Sequence, residues 1–294
     1  MGPPTGNPAS PSPIDRRAVA DLMAPLTELV ALAGLAILKV DRRGMRIDGK
    51  ADGSPVTEAD LAADRIIADG LNRLAGDIPA LSEERAAKAY AVCPELFFLI
   101  DPLDGTKEFV AGRDEFTVNL ALVANGTPLL GIIGAPALGL IWRGLVGQGA
   151  ERLETGQGGE HGIGFGIGLA QPIRTRRFPP PGHPWTAAVS RSHGDAATEA
   201  FIDARPGAIR KRLGSAIKLA KVAEGAVDIY PRLAPTSEWD IAAGHAIVTA
   251  AGGKITDAQG GELRFGQGNR EGIGKGAKDF IVPAFIAWGD PTAA

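Results

Sequence analysis

Six oxygen-bearing side chains suited to holding a hard cation or moving a proton fall in four short segments of this 294-residue chain. The segments are Ser54-Pro55-Val56-Thr57-Glu58-Ala59-Asp60, Leu81-Ser82-Glu83-Glu84, Asp101-Pro102-Leu103-Asp104-Gly105-Thr106 and Glu238-Trp239-Asp240. The third is the most informative. An apolar run at 96–100 ends in two aspartates at i and i+3, separated by a proline whose ring fixes the backbone, so both carboxylates can converge from one turn. Gly105 then lets the main chain approach a ligand closely. The amides of Gly105 and Thr106 face an anion if a short helix starts there. Carboxylates beside an anion site are electrostatically consistent only with cations between them. Hard oxygen donors around a phosphate point to Mg²⁺. The chemistry this implies is hydrolysis of a phosphate ester.

Taken singly, each segment has a plainer explanation. Asp101 and Asp104 fit an ordinary turn at a strand end. Glu83 and Glu84 fit a solvated loop, Asp240 an acid favoured by a helix dipole, and Asp60 a helix cap. Their joint occurrence is what points to a site.

These segments need elements to position them. Apolar spacing predicts a helix over 25–40, followed by a turn-rich stretch at 41–55. Thr57 to Asp60 matches a capping box with Asp as its acid. Apolar residues at 59, 63, 66, 67, 71 and 74 then continue as a helix. Runs at 96–100 and 116–123 read as strands and Asn125-Gly126 as a hairpin turn. Stretches 129–134 and 140–146 read as return strands of an antiparallel meander. Residues 147–184, Gly-rich and then Pro-rich, read as a long connecting loop. The second half alternates: strand 186–189, helix 196–204, helix 215–224 stopped by Gly225, strand 227–230, helix 239–251 stopped by Gly252-Gly253, and strand 254–256. That rhythm predicts an α/β fold. The expected organisation is a disordered tail at 1–14, an N-terminal α+β half at 15–184 with the metal site, and a C-terminal α/β half at 185–294 closing the substrate pocket.

Composition narrows the function. With 31 basic and 34 acidic residues, the chain lacks the basic footprint of a nucleic-acid-polymer binder. One cysteine, Cys93, excludes an intrachain disulfide and fits a reducing, cytoplasmic setting. It and the four histidines show no zinc spacing. The most apolar stretch, 22–40, is interrupted by Pro25, Glu28 and Lys39, so a core-packed helix is expected and not membrane insertion. Neither GxGxxG nor GxxxxGK[ST] occurs.

Together the four segments resemble the lithium-sensitive, magnesium-dependent phosphatase superfamily that includes inositol monophosphatases. Asp101 to Phe109 (DPLDGTKEF) resembles its 3'(2'),5'-bisphosphate nucleotidase (CysQ-type) branch; inositol monophosphatases usually carry Ile at position 103 and Thr-Asn at 107 and 108. Supporting strings are Glu115-Phe116-Thr117-Val118-Asn119, Ser190-Arg191-Ser192-His193, Tyr230-Pro231-Arg232 and Trp239-Asp240-Ile241-Ala242-Ala243-Gly244. The resemblance implies a layered αβαβα sandwich and two to three Mg²⁺ ions. By it, Glu83, Asp101 and the Leu103 carbonyl hold one ion, and Asp101, Asp104 and Asp240 a second. A looser third lies near Glu83. Asp60 and Thr106 would orient and deprotonate the attacking water, while the Gly105 and Thr106 amides hold the phosphate. Ser190, His193, Gly214, Ser215 and Lys218 match positions near a nucleoside and its 5'-phosphate. Arg191 and Arg232 are read as structural ion-pair residues, and His245 as structural. The family's usual Gly-Ser-Ser-Leu-Lys appears as Gly214-Ser215-Ala216-Ile217-Lys218, one hydroxyl fewer.

The implied reaction is hydrolysis of the 3'-phosphate of adenosine 3',5'-bisphosphate to AMP and phosphate, in sulfur assimilation, with inhibition by Li⁺ and by Ca²⁺. A homodimer is possible within the superfamily. Two other functions compete: an inositol or fructose-1,6-bisphosphatase-like sugar phosphatase with the same metal site, and a non-catalytic binding protein on the same fold. Lys107-Glu108 and the 190–193 string argue against the first, and the complete acid set against the second.

Overall fold

The computed structural model describes residues 15–49, 55–88, 94–157, 165–192, 194–266 and 280–294. The tail at 1–14 and part of the Gly-rich stretch lie outside them. The helices are α1 (Arg16–Asp21), α2 (Met23–Lys39), α3 (Glu58–Ala75), α4 (Thr106–Val110), α5 (Ala196–Asp203), α6 (Ile217–Ala223) and α7 (Glu238–Ala250). The strands are β1 (Ile47–Gly49), β2 (Pro55–Thr57), β3 (Ala80–Ser82), β4 (Leu96–Asp104), β5 (Thr117–Ala124), β6 (Thr127–Ala135), β7 (Leu140–Leu145), β8 (Gly149–Gln157) and β9 (Phe165–Ile167). They continue with β10 (Gln171–Ile173), β11 (Trp185–Ser190), β12 (Ala208–Leu213), β13 (Ile229–Arg232), β14 (Thr236–Ser237), β15 (Lys254–Asp257), β16 (Ile281–Val282) and β17 (Phe285–Trp288).

Side chains alternate across a strand, so the unbroken apolar start of β4 demands cover on both faces. On one face Phe98 and Ile100 pack with Leu120 and Ile132 beneath Leu26, Val30 and Ile37 of α2 and Ala63, Ile67 and Leu71 of α3. On the other, Phe97 and Leu99 pack with Ala121 and Ile133 against Leu219 and Val222 of α6 and Ile241 and Ile247 of α7. That strand belongs to a sheet ordered β10-β8-β7-β6-β5-β4-β3, with β9 on β8. A second sheet, β12-β11-β13-β17-β15, covers the far side of α6 and α7 through Ile255, Phe285 and Ala287. Its outer face, with Trp185, Val189, Ile229 and Trp288, packs on Ile202 of α5. The layers therefore run helix, sheet, helix, sheet, helix, the expected αβαβα sandwich.

The middle layer lies unusually close to the first sheet. A Cβ at Gly131 of β6 would collide with the Ala243 carbonyl of α7, and one at Gly244 of α7 would collide with Leu219 of α6. These glycines set the depth at which α7 sits.

Three expectations need correction. The stretch from 147 does not loop out at once: β8 pairs along β7 and then with β10, extending the sheet. Among the described side chains of β8, Ala150 and Leu153 alone are buried, between charged and small residues, a pattern too sparse to stand out in the letters. The helix expected from 215 starts at Ile217, because Ser215 adopts φ 47. Finally, Arg16–Lys39 is long and apolar enough, by length and composition, to cross a membrane. In the fold, however, α2 buries Leu26, Leu29, Val30, Ala33 and Ile37 in the core.

Gly131→Ala should lower the unfolding free energy by about 1–3 kcal/mol, the usual cost of overpacking. Gly156→Ala, with nothing within 4 Å of the added carbon, should be near neutral. Urea midpoints at unchanged slope measure both.

Candidate active site

β3 and β4 run parallel, with Ser82 paired to Ile100. The next residue after each is an acid: Glu83 opens the 3₁₀ turn that follows β3, and Asp101 continues β4. β4 then pairs Asp101 with Asn119 and Asp104 with Thr117, with a register shift between them. Pro102 and Leu103 thus fill a bulge, a device that re-aims side chains at a sheet's rim. Within it the Leu103 amide donates to Asp101 Oδ1 at 3.0 Å. Gly105 follows at φ 92, where a Cβ would strike Ser215 Oγ, so glycine is required twice over.

Asp60 occupies the third position of α3, whose cap is the expected box: Asp60 Oδ2 accepts from the Thr57 amide at 2.7 Å and hydroxyl at 2.6 Å. Its other oxygen accepts from Thr106 Oγ1 at 3.0 Å. The cap thereby ties α3 to the end of β4. Asp240 stands in the first turn of α7, its Oδ2 accepting from Thr236 Oγ1.

Glu83, Asp101, Leu103, Asp104, Gly105, Thr106, Ser190, Ser215, Lys218 and Asp240 all line one cleft of about 380 Å³. Asp60 lies behind its wall, 1% exposed. Gly214 does not line the cleft; its amide donates to Glu115 Oε2 at 2.8 Å. His193 lies outside the described residues. Ser215 closes the cleft from the second half: its hydroxyl is 2.9 Å from the Asp104 carbonyl, and the Ala216 amide donates to Asp104 Oδ2 at 2.7 Å. Thr117 Oγ1 and Asn119 Nδ2 reach the same oxygen at 3.3 and 3.4 Å.

Arg191 is a structural ion-pair residue as expected, gripping Glu115 with two nitrogens at 2.8 and 3.0 Å. Although burial works the other way, this guanidinium and the Gly214 amide hold the Glu115 carboxyl below the usual range. Arg232 departs from expectation. It lines the cleft, and its Nε is buried without a hydrogen-bond partner. No salt bridge to it is found among the described residues. Lys218 is buried as well, donating to the Ser215 carbonyl at 2.6 Å and lying 5.3 Å from the centre of the Tyr230 ring. Burial, partly opposed by Asp104 and reinforced by Arg232, pulls its ammonium down to about 8. His245 is structural: burial lowers it to about 4, and it packs edge-on against Phe265.

Among the described residues, no three acid, histidine or cysteine side chains form a compact ligating cluster; the carboxylates ring the cleft. Their donor chemistry nevertheless fits a divalent cation. Burial, with Asp104 and Glu83 adding repulsion, pushes the Asp240 carboxyl up to about 7, and burial raises Asp104 too. Hard oxygens whose charged forms are disfavoured without a counter-ion are the donor set that Mg²⁺ would take.

Sequence reasoning gave no role to Asp64, Glu108 or Tyr230. The signal for Asp64 was present: an acid four residues after Asp60, inside the apolar stripe of α3.

Residues 19–284 match the profile of the inositol monophosphatase family. The chain is 38% identical over 233 residues to the 3'(2'),5'-bisphosphate nucleotidase CysQ of Shigella flexneri, covering 78% of this chain and 87% of that protein. The crystal structure of CysQ from Bacteroides thetaiotaomicron superposes with TM-score 0.71 at 33% identity, covering 92% of this chain and 97% of that one. An IMPase from Thermotoga maritima gives 0.68 at 26%, covering 93% and 94%.

The buried Lys218 generates a stability prediction. Its pKa falls from 10.5 to about 8 on folding, so the penalty is full below pH 8 and disappears as pH rises towards 10.5. Lys218→Met should therefore raise the urea midpoint at pH 7, and the gain should shrink by pH 10.

Proposed function

The chain belongs to the inositol monophosphatase family, and on that footing we propose that it hydrolyses the 3'-phosphate of adenosine 3',5'-bisphosphate, giving AMP and phosphate. The family's phosphatases are metal-dependent. One observation carries the reading. Glu83, Asp101, Asp104 and Asp240, from three separate parts of the chain, face the cleft that also holds the Asp60-bonded Thr106 hydroxyl.

In this reading Glu83, Asp101, the Leu103 carbonyl, Asp104 and Asp240 would hold two to three Mg²⁺ ions. Bound there, the ions would neutralise the phosphate and stabilise charge on the entering and leaving oxygens. The protein's own residues do the rest. Asp60 accepts a hydrogen bond from the Thr106 hydroxyl, which turns a lone pair of Thr106 Oγ1 towards the cleft to orient a water; as that water gives a proton to Thr106 Oγ1, the Thr106 hydroxyl proton passes to Asp60. Gly105 and Thr106 amides hold the transferred phosphoryl group at the turn into α4. Lys218 and Arg232 place two cationic groups further along the same cleft. That suits a substrate with a second phosphate. Ser190 and Ser215 offer hydroxyls beside it. A cytoplasmic location accords with the single cysteine.

A panel assay with Mg²⁺ tests the reading. The bisphosphate nucleotide should exceed inositol 1-phosphate and fructose 1,6-bisphosphate in kcat/KM, and LiCl should inhibit. A wide margin for the sugar phosphates overturns the nucleotide assignment. Asp104→Asn should cost orders of magnitude in turnover while the chain stays folded; unchanged turnover overturns the metal-site assignment.

A further inference from the structure

Asp64 lies one turn beyond Asp60 on the buried face of α3. It is too far along the helix to cap it, and an acid within an otherwise apolar stripe must recover its desolvation through bonds. Those bonds all go to one place. Ser82 Oγ donates to Asp64 Oδ1 at 2.5 Å, and Arg85 Nε approaches Oδ1 at 3.2 Å and Oδ2 at 3.1 Å. Ser82 immediately precedes Glu83 and Arg85 follows it by two residues, so a single carboxylate grips the chain on both sides of Glu83.

The grip meets a specific need. β3 is three residues long and ends the sheet order, paired to β4 alone. Beyond Ser82 the chain leaves the ladder for a 3₁₀ turn, so strand pairing does not fix the direction of Glu83. We infer that Asp64 is a positioning residue that aims Glu83 into the metal-binding cleft. Asp60 and Asp64 then make the first two turns of α3 a common jig: one acid registers Thr106 at the end of β4, the other registers Glu83 at the end of β3. The inference rests on the reading of Glu83 as a metal-holding carboxylate.

The test uses the full chain with Asp64→Ala, Asp64→Asn, Ser82→Ala and, as a control, Glu83→Gln. Three readouts are taken: Mn²⁺ binding by electron paramagnetic resonance, the Mg²⁺ concentration for half-maximal hydrolysis, and the melting temperature without metal. Asp64→Ala should weaken Mn²⁺ binding and raise the half-maximal Mg²⁺ about tenfold, the lower range for partners that orient metal ligands. Turnover at saturating Mg²⁺ should be largely kept. Asp64→Asn keeps an oxygen for the Ser82 hydroxyl and should shift less. Ser82→Ala should shift in the same direction, and it decides the matter if Asp64→Ala does not fold. Variants that melt lower but bind Mn²⁺ and respond to Mg²⁺ like the parent, while Glu83→Gln loses both, overturn the inference and leave the functional reading standing. Parent-like metal binding in Glu83→Gln overturns both.

Discussion

Like charges have to be held together before any cation or substrate can use them, and this requirement organises the structure. The acids of the cleft come from the ends of β3 and β4 and from the start of α7, and they repel one another. Asp101, Asp104 and Asp240, and Asp60 behind the wall, are restrained by donors that leave them little freedom to turn away. Leu103's amide holds Asp101, Ala216's amide holds Asp104, Thr236's hydroxyl holds Asp240, and the capping amide and hydroxyl of Thr57 hold Asp60. Donors aimed at a carboxylate favour its charged form. At Asp104 and Asp240 burial outweighs them and raises both carboxyls.

The scaffold keeps these restraints in register by close packing rather than by bulk. Two glycine contacts seat α7 against β6 and α6, which fixes where the first turn of α7, and with it Asp240, emerges. The strained Ser215, at φ 47, serves the same end. Its backbone is held off the common regions so that its hydroxyl and the following amide can both reach Asp104. Strain of this kind persists where surrounding bonds over-determine it.

Much of this was legible in the sequence. The capping box at Thr57, the hairpin at Asn125-Gly126 and the meander from 96 to 146 follow from local chemistry, and the structure has them. The acids of the cleft were legible because their segments are short and their residue types are strict. What escaped depended on contacts distant in sequence or on weak pattern. β12 reads Ala-Ile-Arg-Lys-Arg-Leu, with one residue buried, because it is an edge strand; no apolar periodicity marks it. Arg232 was read as a partner in an ion pair, as arginines commonly are, and only the three-dimensional arrangement shows its Nε buried in the cleft wall without one. Asp64 was hidden in plain view, since its partners Ser82 and Arg85 lie about twenty residues away along the chain and no local rule connects them.

The pooled core has a consequence for how the chain can be divided. Phe97, Leu99 and Ile133 from the first sheet share one apolar cluster with Leu219, Ile247 and Phe285 from the second half. Neither half encloses that cluster alone. A chain severed within 174–184 would yield two fragments, each with a broad oily face bared to water, prone to clump when expressed singly and soluble when produced together so that they can fuse into one body. A change of bulk on one side of that seam is felt at once on the other.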